Sequence, residues 1–402
     1  MQRFSKPFLT RALLVGAAVL LAAPVVAGIA LTDPEERTRK LNRPLAELPT
    51  LEDATSAPWD ALGTVARYAA DRSLGVLSSA LWLTTFRYEV LRDPGVDNTV
   101  RNGSLVFLAD HEIGGERIFR AIQKSCADPR ADGLAERMMA EAARLAAASG
   151  APERKVGVLM VPTKPVLYAD RLPPSVPAAY RQACMTARAE TSWIDLWEQD
   201  AEAHGYAMTY PLHAFEADRD TPHFYPPENF HTSGAAAHVA AWSLLNRLYP
   251  GEYEPGAPGY RLKTGKADMR SIYLRYRQIP LLEPKYGPKR PKRAPMEEAA
   301  LKKQHPEIPR FQVWRSNEQK LGRRALVVGN SFSLHIGRHV APAFDETVLV
   351  YTNGLKRPGA QRLFAEIIPD LDPGAVIFIH HDAGQKGFGL HRILWGIPGW
   401  KN

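Results

Sequence analysis

The chain is poor in cysteine and carries none of the common metal or nucleotide signatures. Its 402 residues include two cysteines, Cys126 and Cys184. Neither belongs to a Cys-x-x-Cys pair or a Cys/His cluster, which argues against a metal role. They could form one disulfide in an oxidising compartment or stay as two buried thiols. There is no Gly-rich phosphate loop, so direct use of ATP is not expected, and no cofactor is called for. No zinc-finger spacing or RNA-binding signature accompanies the net charge of +8. Nucleic acid is therefore the weakest anionic partner, behind acidic polysaccharide and anionic lipid. No internal repeat is visible, and only one uncharged run is long enough to span a membrane.

That run is Ala12 to Leu31, 20 uncharged, mostly apolar residues behind Arg3, Lys6 and Arg11. It reads as a membrane anchor or as a signal peptide, with small residues at Val25-Val26-Ala27 for cleavage. Either reading exports the rest of the chain. Thr32 to Pro58 is polar and proline-containing, a tether, and Trp59 to Leu91 suggests one or two helices. The expected organisation is residues 1–31 as signal or anchor, 32–102 as tether and helical arm, and 103–402 as an α/β domain.

Within the last region, strands and helices alternate. A helix over Leu134 to Ser149, capped by Asp132, places Leu134, Met138, Ala142 and Leu145 on one face. Lys155 to Val161 is an apolar strand, Ala178 to Ala189 a helix, and Trp193 to Leu196 a short strand. A further helix begins near Thr232 or Ser233, presents Ala235, Ala236, Val239, Trp242 and Leu245, and stops at Pro250-Gly251. Strands follow at Ala325 to Val328, Val348 to Tyr351 and Ala375 to His380, with helices between them. This pattern implies a parallel sheet flanked by helices. The basic, proline-rich piece Lys285 to Pro295 interrupts it, and residues from about 284 to 324 read as a surface loop, either a solvated linker or a docking strip for a polyanion or membrane.

The run ALVVGNSFS, Ala325 to Ser333, joins a buried strand to a helix through a turn where Gly329 and Asn330 tolerate positive φ. Ser331 falls where a nucleophile would project from the sheet edge beside free backbone N–H groups. Its base, on this reading, is His231, in the proline-rich loop PPENFHTSG ahead of a helix. Glu228 and Asn229 are the candidates to orient the imidazole; a carboxylate compensates its charge more fully than an amide. His380, His381 and Asp382 form a rival base-and-acid group. Ligands collect at the carboxyl ends of parallel strands. Three segments leave such ends: Pro162-Thr163-Lys164, Gly329-Asn330-Ser331 and His380-His381-Asp382. Lys164, Asn330, His380 and His381 are accordingly candidates for substrate contact.

The chain resembles the SGNH-hydrolase-like proteins of the alginate O-acetylation type, which acetylate bacterial exopolysaccharides. The resemblance rests on LNRPLAELP (Leu41 to Pro49), GSLVFL (Gly103 to Leu108), VPTKPVLYADRLP (Val161 to Pro173), NFH (Asn229 to His231) and GNSFS (Gly329 to Ser333), in that order. The sequence departs from the pattern where Asn229 replaces an aspartate and Thr232 an aromatic residue. Glu228 can instead serve as the acid of an Asp-x-x-His spacing. The resemblance implies an SGNH-like α/β domain in the periplasm, tied to the inner membrane by the N-terminal helix. It implies that Ser331 takes an acyl group with His231 as base and passes it to a sugar hydroxyl of an exopolysaccharide. It also implies a membrane-bound O-acyltransferase as acyl donor. A secreted carbohydrate esterase and a non-catalytic polysaccharide-binding or assembly factor are the alternatives.

Overall fold

In the computed structural model of the protein, residues 47–56, 61, 64–65, 68–69, 71–72, 99–102, 104–108, 112–113, 116–117, 119–128, 133–151, 153–252, 259–266, 278–286, 290–317, 321–382, 393–397 and 400 are described. The chain divides into two compact units, Met1–Gly95 with Arg270–Arg277, and Val96–Met269 with Gln278–Asn402. The expected anchor, the tether up to residue 46 and most of the helical arm lie outside the described residues. Of the first unit, the short helix Leu51–Ser56 is described. Among the described residues, no helix is long and apolar enough to cross a membrane.

The second unit is built on one seven-stranded sheet. Its strands are β1 (Lys155–Val161), β2 (Ala207–Thr209), β3 (Lys292–Arg293), β4 (Arg310–Arg315), β5 (Arg324–Gly329), β6 (Glu346–Tyr351) and β7 (Ala375–His381). The spatial order is β2-β1-β7-β5-β6-β4-β3. From β2 to β6 every pairing is parallel, whereas β4 pairs antiparallel with β6 and with β3. The central strands are near-continuous runs of Val, Ile, Leu and Phe, and they are buried along almost their whole length. That is the composition of strands covered on both faces. Last in sequence, β7 slots between β1 and β5 and so brings the two halves of the sheet together.

Among the described residues, the helices of eight or more residues are α1 (Leu134–Ser149), α2 (Ala178–Ala189), α3 (Ser192–Ala203), α4 (Gly234–Leu248), α5 (Pro295–Gln304) and α6 (Ser333–Val340). Helix α4 packs on β1, β2 and α6. Trp242, read from the sequence as part of its apolar face, is exposed instead. Cys126, at the end of the helix Arg120–Ser125, is disulfide-bonded to Cys184 in α2, with Cα atoms 4.6 Å apart. Of the two possibilities open for the cysteines, the structure takes the disulfide.

Two local expectations are corrected. Trp193 to Leu196 is helix, not strand: Trp193, Ile194, Trp197 and Ala201 are the buried face of α3, and their helical spacing overrides the β preference of tryptophan. Helix α1 is entered through Gly133 at φ 63°, and Asp132, the residue expected to cap it, lies outside the described residues. The stretch 284–324 is not one long loop. It contains β3, α5 and β4, and β4 extends the main sheet through buried Phe311, Val313 and Trp314. The signals were present: Pro295 at the first turn of α5, Glu297 and Glu298 following it, and Lys302 and Lys303 at its end complement the helix dipole. The basic pair Lys292-Arg293 is the exposed edge strand itself, where charge discourages further strand pairing.

Candidate active site

Adjacent strands β1, β7 and β5 bring their carboxyl ends together. The three strand-end segments picked out in the sequence therefore do meet at one crevice, although their side chains do different work there.

The turn after β5 is locked by its own residues. Gly329 does not adopt positive φ. It is required because a Cβ there would stand 2.4 Å from the Ile379 carbonyl oxygen of β7. Asn330 is buried, and its side-chain Oδ1 accepts the Phe332 N–H at 3.0 Å. Its carbonyl accepts both the Ser333 N–H at 3.0 Å and the Ser333 hydroxyl at 2.6 Å. Asn330 is thus a turn-holding residue more than a substrate contact. Ser331 is left half-buried at the apex, just ahead of α6 and its positive dipole end. The amides of Phe332 and Ser333 are already bonded. Ser331 N–H has no acceptor among the described residues and is the donor this turn offers to an oxyanion.

His231 sits in the loop from Pro226 to Ser233, and Lys164 holds that loop. The Lys164 side chain, 1% exposed, donates Nζ to the carbonyl oxygens of Val106 at 3.1 Å, Pro226 at 3.2 Å, Pro227 at 2.8 Å and Asn229. A buried ammonium is tolerated only with such compensation. Lys164 therefore cannot contact substrate as the sequence suggested; it fastens the end of β1 to the loop. Tyr225 OH donates to the Phe230 carbonyl at 2.6 Å, and Val106 N–H to that of Pro227 at 3.0 Å. Beyond the loop, Gly234 opens α4 at φ 59°, where a Cβ would meet the Leu282 carbonyl oxygen at 2.4 Å.

These two supports set His231 Nε2 2.7 Å from Ser331 Oγ. That separation is hydrogen-bonding distance for a nucleophile and its base. Phe230 and Phe332 pack edge-on against the His231 ring, with centroids at 5.1 and 4.8 Å. His335 stacks on the same imidazole at 5.1 Å with 20° between planes. Sequence reading missed His335, which lies in the first turn of the helix that follows Ser331. Glu228 and Asn229 are both buried in the base loop, and Asn229 Nδ2 donates to Ser233 Oγ at 3.3 Å.

The rival group does not form a base-and-acid pair. His380 is buried, and burial, then His381, pushes its pKa down to about 3. It is neutral and out of reach of substrate, which removes it from the substrate contacts. Asp382 is spent on structure: its Oδ2 accepts the Thr163 N–H and the Tyr210 hydroxyl, each at 2.9 Å. Burial, followed by the Asp382 charge, raises the Tyr210 phenol well above its ordinary value. His381 does border the site, its ring 4.5 Å from Phe332 and 5.7 Å from Phe230. Burial, followed by the His231 charge, lowers its pKa to about 3 as well. Among the described residues there is no cluster that could hold a metal ion.

No protein-family model matches the chain, and no curated protein matches it. Solved structures do resemble it. Bacillus cereus PatB1 is 12% identical, with 73% of this chain and 99% of that one covered at a TM-score of 0.47. The O-acetyltransferase domain of Pseudomonas putida AlgJ is 13% identical over 72% of this chain and 92% of its own, at 0.43. Pseudomonas aeruginosa AlgX is 12% identical over 73% and 68%, at 0.39. All three likenesses lie below a TM-score of 0.5 and assign neither a family nor an activity.

Proposed function

We propose that this protein is an SGNH-like O-acyltransferase that moves an acyl group, most simply acetyl, onto an exported polysaccharide. The observation that carries this is the 2.7 Å contact between His231 Nε2 and Ser331 Oγ at the carboxyl ends of the parallel strands. In the first half-reaction Ser331 Oγ attacks the acyl carbonyl while His231 Nε2 takes the hydroxyl proton. The tetrahedral oxyanion faces the Ser331 N–H and the start of α6. His231 then returns the proton to the departing group, and the acyl-serine ester remains. In the second half-reaction a sugar hydroxyl attacks that ester. His231 accepts its proton and passes it back to Ser331 Oγ as the serine leaves. Glu228 is the carboxylate we assign to stabilise the imidazolium, because a carboxylate compensates that positive charge more fully than the neutral amide of Asn229.

A membrane-bound O-acyltransferase is the proposed acyl donor, and an exopolysaccharide the acceptor. The Cys126–Cys184 disulfide suits an oxidising compartment such as the periplasm. Residues 12–31 would anchor the chain there. Intact-mass measurement after exposure to an activated acetyl ester tests the chemistry. An acetyl adduct on Ser331 is expected, absent in Ser331→Ala and at least 100-fold slower to form in His231→Ala, about 2.7 kcal/mol of barrier. An adduct that forms equally fast in both variants refutes the reading. Discharge to water alone, with no transfer to any oligosaccharide, would make the protein an esterase.

A further inference from the structure

A second feature lies along α6, away from the Ser331 turn. A cavity of about 650 Å³ is walled by Leu334, Arg338 and His339 of α6 and by the segments on either side of β3. It takes in much of the basic stretch that the sequence marked as a linker or docking strip. Five cations line it, Arg261, Lys285, Arg290, Arg293 and Arg338, against a single carboxylate, Glu283. Two of the five are already engaged. Arg338 pairs with Glu283 at 2.8 Å, and Arg293 pairs with Glu298 while its guanidinium lies 5.3 Å from the centre of the Trp314 ring. Arg261, Lys285 and Arg290 are exposed and form no ion pair among the described residues.

We propose that this cavity is a glycan subsite for a sugar residue carrying a carboxylate or phosphate. Three unpaired cations around one concavity raise the local concentration of anions, and guanidinium groups match the oxygens of either anion two at a time. The volume is that of a small-ligand pocket. Its concavity favours a sugar unit over a membrane, which would need a flat or convex face. The address also fits. From Ser333 to Arg338 is five helical residues, about 8 Å at 1.5 Å per residue. A polymer with one hydroxyl at Ser331 can therefore lay a neighbouring unit against these cations. The subsite rests on the proposed role of Ser331 for this address alone, because binding needs no acyl chemistry.

Titration calorimetry on the full chain tests it, with an oligogalacturonate, a sugar monophosphate, a neutral cello-oligosaccharide and phosphatidylglycerol vesicles as probes. At least one anionic sugar should bind tenfold or more tightly than the neutral one, with affinity that falls as salt is added. The comparison of the first two probes shows which anion is preferred. The combined Arg261→Gln, Lys285→Gln, Arg290→Gln variant should lose that tenfold advantage. Ser331→Ala should bind as the wild type does, so failure of the acyl chemistry and failure of this subsite are read apart. In the unaltered protein, the anionic sugar should shield Lys285 from an amine-modifying reagent, a readout independent of any variant's folding. Equal affinity for neutral and anionic sugars, unchanged binding by the triple variant, or absence of Lys285 shielding overturns the proposal. Vesicle binding lost in the triple variant, with no anionic sugar bound, assigns the cations to a membrane surface instead.

Discussion

The nucleophile and its base are held in place by opposite strategies. Ser331 stands on a turn whose restraints are local: Asn330 bonds to Phe332 and Ser333, and Gly329 lets the chain press against β7. His231 stands on a loop whose main restraint comes from far along the chain, where the single ammonium of Lys164 gathers carbonyl oxygens from residues 58 to 65 positions away. A turn stitched by neighbours survives the loss of one stitch. A loop gathered around one buried cation is more vulnerable, because losing it takes a donor from four carbonyl oxygens at once, even though those of Pro226 and Pro227 keep the Asn229 and Val106 N–H groups.

Lys164→Met should show the contrast most strongly. It removes the charge while keeping much of the volume, and should cost about 2–4 kcal/mol of stability by urea unfolding. Acyl-adduct formation on Ser331 should slow with it, since His231 loses its mooring. A loss below about 1 kcal/mol would mean that the two supports are equivalent after all.

The strand between the supports supplies a pH test. His380 on β7 stays neutral in the folded protein down to about 3, and neither ring nitrogen has a hydrogen-bond partner among the described residues. In the unfolded chain it titrates near 6.5. Its contribution to stability is therefore intact above pH 6.5 and is lost as the pH falls toward 3, since only the unfolded state gains the proton in that window. The slope should reach about 1.4 kcal/mol per pH unit for this group, and His380→Leu should flatten the unfolding-versus-pH curve there. An unchanged curve would show that the acid sensitivity belongs to the loops on either side.

The smallest effect should come from the nucleophile turn. Asn330→Ala deletes the Oδ1 bond to Phe332 and keeps the backbone bonds, for about 1 kcal/mol of stability and a modest slowing of adduct formation. A loss as large as that of Lys164→Met would erase the distinction between the two supports.

The same division explains what could be read from the chain. The runs KVGVLMV, ALVV and AVIFIH were recognisable as buried strands because their apolar pattern is contiguous. Ser331 and His231 were recognisable because each sits at a strand or helix boundary that local signals mark. Lys164 stood out too, but as a substrate contact, because a lysine after a strand looks like a ligand-facing group until the carbonyl oxygens around it are known. His380 and Asp382 failed in the same way, since their side chains are consumed by burial and by Thr163 and Tyr210. The strand β4 hid behind a basic, proline-rich approach that lowered the apolar content of the window.

By itself, then, the sequence determined which segments become strands and helices, and which serine and histidine stand at their ends, because those properties follow from neighbouring residues. The tertiary structure alone decided that β7 lies between β1 and β5, that Lys164 faces inward, and that His231 reaches Ser331. Each of these depends on groups brought together from distant positions, and the free energy of a buried contact is set by what surrounds it in space.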